Sequence, residues 1–76
     1  MNLDTEKIDR AVLALLYLGL HEEWRVWKGF DWDAMNRLHE KGYISDPVGK
    51  AKSVLFTEDG REEARRLLFE LFGRKE

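Results

Sequence analysis

The apolar positions of the chain fall into groups separated by polar or turn-forming stretches, and the first group repeats at helical spacing. Ile8, Ala11, Val12, Leu15, Leu16 and Gly19 recur every three or four residues, which predicts a helix from about Thr5 to Leu20. Asp4 or Thr5 supplies the oxygen that caps its first amides. Glu6, Lys7, Asp9 and Arg10 cover the first turns. Because Leu13, Leu18 and Leu20 add apolar groups on other faces, the C-terminal half of this helix is expected to be buried nearly all round.

Residues 21–30 (HEEWRVWKGF) carry a mixed signal. Trp24, Val26 and Phe30 alternate as strand residues do, whereas Trp24, Trp27 and Trp32 fit no single period, and Gly29 argues for a bend. The reading is an extension of the first helix, or a short helix followed by a turn. Asp31 then caps a second helix from Trp32 to Lys41, with Asp33 favourably placed in its first turn. Trp32, Met35 and Leu38 form its inward stripe, Gly42 stands where a left-handed cap is expected, and Asp33, Asn36, Arg37, Glu40 and Lys41 make a mixed-sign outer face.

Tyr43-Ile44 and Ser53 to Phe56 read as two short extended pieces around a turn-rich loop, which predicts a small β-ribbon with Lys50 and Lys52 near its tip. Pro47 has no N–H to donate, so the first strand must stop before it. Thr57 caps the last helix, Glu58 to about Phe72, whose apolar face is Ala64, Leu67, Leu68, Leu71 and Phe72, and Gly73 ends it. Phe69 lies outside that stripe and widens the apolar sector. The expected architecture is one domain over 1–76, mainly helical α+β: three helices and a small two-stranded ribbon.

Composition sharpens this picture. A 76-residue chain buries only about 60% of its unfolded-state surface, so it needs its largest side chains in the core. Trp24, Trp27, Phe30 and Trp32 are therefore expected mostly inside, and any ring left outside would mark a partner site. With no cysteine there is no disulfide, and the N-terminus MNLDTEKIDR is too acidic for the basic region of a secretory signal, so a cytoplasmic protein is expected. The longest apolar run, Ala11 to Leu20, has 10 residues where a membrane span needs about 20, so no membrane partner is expected.

The charges exclude several classes of function. His21 and His39 are the only imidazoles, and no H-x-x-x-H, C-x-x-C or glycine-rich phosphate loop occurs. His21-Glu22-Glu23 cannot place three side chains on one helix face, which makes it a poor metal site. Neither an enzyme nor a cofactor is expected. Net charge is −2, but residues 24–56 carry six basic and four acidic groups, so only this middle segment faces a polyanion with an excess of positive charge.

The run Leu38-His39-Glu40-Lys41-Gly42-Tyr43-Ile44, followed by Val54-Leu55-Phe56-Thr57-Glu58-Asp59-Gly60-Arg61, is similar to a pattern in winged helix-turn-helix regulators of the multiple-antibiotic-resistance and phenolic-acid-repressor types. The resemblance covers residues 31–72 and implies a winged-helix-like fold, abbreviated because only HEEWRVWKGF is available for the positioning helix. It implies that Asn36 and Arg37, with Asp33 as a further candidate, meet a DNA groove and that Lys41, Lys50 and Lys52 meet phosphates. The whole chain also resembles a small bacterial domain family of unknown function that shares the W-K-G-F-D-W-D and D-P-x-G-K-A-K-S stretches seen at 27–33 and 46–53.

Two functions follow. The first is a transcription-associated module that binds double-stranded DNA weakly and salt-sensitively, through Asn36, Arg37, Lys41, Lys50 and Lys52. The second is a homodimerisation or protein-interaction module without DNA binding, through Trp24, Trp27, Leu68, Phe69 and Phe72. For Lys50 and Lys52 the alternative to phosphate contact is protection of a strand edge.

Overall fold

The computed structural model describes residues 2–74. Along the chain lie α1 (Thr5–Leu16), a 3-10 turn (Tyr17–Gly19), β1 (Arg25–Trp27), α2 (Trp32–Glu40), β2 (Ser53–Leu55) and α3 (Glu58–Phe72). Three helices and a two-stranded antiparallel sheet form the mainly helical α+β domain that the pattern predicts.

α1 begins where the Asp4 carboxylate accepts a hydrogen bond from the Lys7 amide at 3.1 Å. It stops at Leu16, earlier than periodicity suggests, and tightens into the 3-10 turn before Leu20 turns the chain into extended geometry. Gly19 permits this approach, because a Cβ there would stand 3.3 Å from Cδ1 of Trp27. Leu18 consequently points outward and is exposed, contrary to the expectation of all-round burial.

Residues 21–30 differ most from expectation. The His21 and Arg25 backbones exchange both hydrogen bonds, at 2.8 and 3.0 Å, around a turn in which Glu22 and Glu23 take φ of 50° and 70°. Two successive left-handed residues end any helix. The strand-like alternation then prevails, with Val26 buried between outward-facing Arg25 and Trp27.

β1 pairs with β2 in the register Arg25 with Leu55, Val26 with Val54 and Trp27 with Ser53. The predicted pairing of Tyr43-Ile44 with Ser53–Phe56 reduces to a single bridge between Ile44 and Phe56. The Ser45 amide still donates to the Leu55 carbonyl, and the Leu55 amide to Ser45 Oγ. β2 therefore has β1 on one side and residues 44–45 on the other. Pro47, lacking an N–H, keeps the second side short.

α2 is capped by the Asp31 carboxylate, which accepts from the Ala34 amide at 3.1 Å. Its end is a Schellman motif: Gly42 at φ 81° donates to the His39 carbonyl and Tyr43 to the Leu38 carbonyl. The inward residues are Ala34, Met35 and Leu38, while Trp32 is 53% exposed. At about 100° per residue, Trp32 stands more than a quarter turn from the centre of that arc, and Ala34 takes the place expected for it.

Thr57 caps α3 by accepting from the Gly60 amide, and its hydroxyl donates to the Gly42 carbonyl at 2.6 Å, tying the end of α2 to the start of α3. Gly60 is required there, since a Cβ would lie 1.8 Å from the Tyr43 carbonyl oxygen. The helix turns Ala64 and Leu67 inward but leaves Leu71 and Phe72, expected on its apolar face, exposed. The core itself is mostly aliphatic, drawn from α1, α2, α3, the sheet and Ile44, with Phe56 its one buried ring.

Candidate functional site

Two regions outside the aliphatic core carry chemistry: an ion centre between α1 and α2, and the rings on the surface. Asp9 shares the inward stripe of α1 with Leu13 and Leu16 and is only 2% exposed. Its oxygens accept from Arg37 Nε at 2.7 Å and from the Arg37 terminal nitrogen at 2.8 Å, a bidentate pair, and from Lys41 Nζ at 3.3 Å. Glu6 approaches Lys41 at 3.9 Å from the outside.

Burial pushes the Asp9 carboxyl up, but the hydrogen bonds and charges of Arg37 and Lys41 more than offset it, so the group lies below the usual carboxylate range. The Asp9 hydrogen bond in turn raises Arg37. Both cations that the winged-helix resemblance assigns to DNA from this helix are thus engaged within the fold. In the sequence Asp9 reads only as one of the polar residues that cover the first turns of α1. The signal that finds it is its spacing: Asp9, Leu13 and Leu16 lie at i, i+4 and i+7 of one helix face.

The remaining sites proposed for DNA lie apart from this centre. Asn36 is half-buried on α2, and Lys50 and Lys52 are exposed in the loop before β2 rather than on a strand edge. Among the described residues neither lysine makes an ion pair. Lys28 closes that loop, its ammonium donating to the carbonyls of Pro47 at 2.6 Å and Gly49 at 3.0 Å. Asp33 and Glu40 on α2 and Asp46 in the loop are exposed as well, so the surface potential there is mixed.

The rings expected to fill the core are largely outside it. Trp24 is half-buried and lies under the Arg61 guanidinium, 4.8 Å from the ring centroid. Trp27 is 56% exposed and stacks on His21 at 4.4 Å between centroids, and Phe30 and Trp32 are exposed too. The reason is the period of two in β1, which gives the inward position to Val26 and turns Trp27 outward.

A second exposed group sits at the end of α3. Phe69 is 62% exposed and Phe72 53%, one turn apart, with the Arg65 guanidinium 5.5 Å from the Phe69 centroid. Leu68 packs partly against the core. Beside Phe72 runs an open groove of about 270 Å³ between α3 and α1, lined by Leu71, Phe72, Ala11 and the side chains of Lys7 and Arg10.

Among the described residues no cluster of His, Cys, Asp or Glu is arranged to hold a metal ion, and no helix is long and apolar enough to cross a membrane. Residues 4–74 match a domain of unknown function, DUF6429. The chain is 53% identical over 74 residues, 97% of its own length and 100% of the other's, to an uncharacterised protein, y4hR, of Sinorhizobium fredii (strain NBRC 101917 / NGR234). No solved structure matches it.

Proposed function

We propose that this chain, which belongs to the DUF6429 family of domains of unknown function, is a small interaction module that pairs with a second copy of itself through the end of α3 and the facing turns of α1. The observation that supports this reading is that projecting rings and a receiving groove share one patch. A two-fold contact requires a surface complementary to itself. Phe69 projects, and the groove lined by Ala11, Leu71 and Phe72 receives. A standard interface takes about 800 Å² from each partner, so the contact extends along α3 toward Leu68, Arg65 and the Arg61–Trp24 pair.

Phe69→Asp tests this reading, because it places a charge in the middle of the contact while touching no core residue. Light scattering is expected to give about twice the 9.0 kDa chain mass for the native protein and the single-chain mass for the variant, with unchanged circular dichroism. A native protein of 9.0 kDa at its highest soluble concentration would sink the reading.

A second reading, duplex-DNA binding, is favoured by the exposed ammonium groups of Lys50 and Lys52, which make no ion pair among the described residues. They and Asn36 would form the phosphate- and groove-facing set that the winged-helix resemblance implies, while Arg37 and Lys41 would have to leave Asp9 to join them. Two lysines neutralise few phosphates, so affinity on this reading is weak and falls with salt. Lys50→Glu with Lys52→Glu is the test: unchanged duplex binding by fluorescence anisotropy removes the wing from the contact.

A further inference from the structure

From the rings and cations at the junction of β1, α2 and the 46–52 loop, we infer that this end of the molecule is a binding site for unpaired, single-stranded nucleic acid. Trp27, Phe30 and Trp32 fall within six consecutive residues and are 56%, 38% and 53% exposed. The neighbouring loop is fastened beside them. The Lys28 amide donates to the Lys52 carbonyl at 3.0 Å, Trp27 pairs in register with Ser53, and Lys28 Nζ holds the carbonyls of Pro47 and Gly49. Exposed Lys50 and Lys52 are therefore carried on a loop anchored at the foot of the aromatic segment.

Exposed rings near exposed ammonium groups match the chemistry of a single strand. Its bases have open faces that stack on aromatic side chains, and its phosphates seek cations. A duplex offers only the second of these, because its base faces are already stacked on one another. The acids nearby are Asp31, Asp33 and Asp46. Two of them are turned onto their own backbone, Asp31 accepting from the Ala34 amide and Asp46 from the Val48 amide at 2.9 Å, but both keep their charge, so three carboxylates stand near the lysines and the rings must supply much of the affinity. Binding is consequently short-footprint and salt-sensitive: two lysine contacts correspond to a slope of about −1.4 in log affinity against log salt for a single strand. This site is separate from the α3 patch, and neither inference depends on the other.

Titrating the full chain with an oligothymidylate at low and moderate salt, reading tryptophan fluorescence and the anisotropy of a labelled strand, tests the inference. The strand is expected to quench the tryptophan emission and to bind more tightly than a duplex of the same length. Trp32→Ala and Phe30→Ala are each expected to weaken binding about fivefold or more. Lys50→Glu with Lys52→Glu is expected to flatten the salt dependence. Trp27→Ala is interpreted only if circular dichroism shows an intact fold, because Trp27 also stacks on His21; the Trp32 and Phe30 variants decide the matter otherwise. The inference is overturned by absence of binding at low salt, which would leave the rings to a protein partner. Equal or tighter duplex binding, or indifference to both Trp32→Ala and Phe30→Ala, would overturn it as well.

Discussion

The α1–α2 contact and the surface rings handle their chemistry in opposite ways. At the contact, the Asp9 carboxylate is almost sealed from water, and its oxygens take three hydrogen bonds from Arg37 and Lys41. On the surface, three of the four aromatic residues between positions 24 and 32 stand in solvent, as do Phe69 and Phe72 of α3. Charges that look like surface groups in the sequence are therefore used to hold the fold. Rings that look like core are left outside. In a domain with so little interior, an apolar group kept in water is a cost that packing alone does not explain, which is why the proposed contacts are placed at the rings rather than at the basic residues of α2.

Cutting the ion centre should separate the two regions most strongly. Arg37→Met removes the bidentate partner and leaves Asp9 buried with Lys41 alone, and breaking a buried pair in this way costs about 3 kcal/mol or more. For a domain of this size that lowers the thermal midpoint by well over ten degrees, on the order of 4–8 °C per kcal/mol. The folded-state pKa of Asp9 is depressed, so its contribution is fully present above the ordinary carboxylate range and is lost as pH falls through the folded value. Glu63, lowered first by its hydrogen bond from Arg66, acts in the same direction. Melts of the native protein should therefore show an acid-side loss of stability below about pH 4, the ordinary aspartate value. Asp9→Asn should be less stable at neutral pH and should flatten part of that acid limb.

Gly60→Ala comes next. Its Cβ would fall on the Tyr43 carbonyl where α3 begins, and because that neighbour is backbone, relief requires moving the junction of α2 and α3. Overpacking of this kind costs about 2–3 kcal/mol, measurable by urea denaturation. A change under half that size would mean that the junction has slack. The smallest effect is expected at the rings: Trp32→Ala should change stability by no more than about 0.5 kcal/mol, the ordinary range for a surface position. A loss approaching that of a core tryptophan would erase the contrast between the regions.

What could be read from the sequence follows from which physical signals are local. The caps were legible, because each depends on a few neighbouring atoms: Asp4, one of two candidates for the first cap, and Asp31 and Thr57 accept amides of their helices, Gly42 takes its left-handed turn, and α3 spans Glu58–Phe72. Residues 21–30 were not, since β1 exists only by pairing with β2, about thirty residues away, and the left-handed pair Glu22-Glu23 leaves no compositional mark. The ribbon was half legible: β2 was placed, but its main partner is β1 instead of residues 43–44, which keep one bridge. The exposure of Trp32 was hidden by a spacing of three that drifts off the buried arc. For the ion centre, Arg37 and Lys41 stand out in the sequence as cations, but their partner is hidden among the other polar residues of the first turns although it shares a face with Leu13 and Leu16.

The pairing of α3 with a second copy is tested most directly by isotope-filtered NOE spectroscopy on a mixture of labelled and unlabelled chains. The expected result is a set of cross-peaks between chains, from the Phe69 and Phe72 rings of one copy to the Ala11 and Leu71 methyl groups of the other, all lost in Phe69→Asp. A spectrum with no such peaks, recorded where the native protein has the mass of one chain, would contradict it.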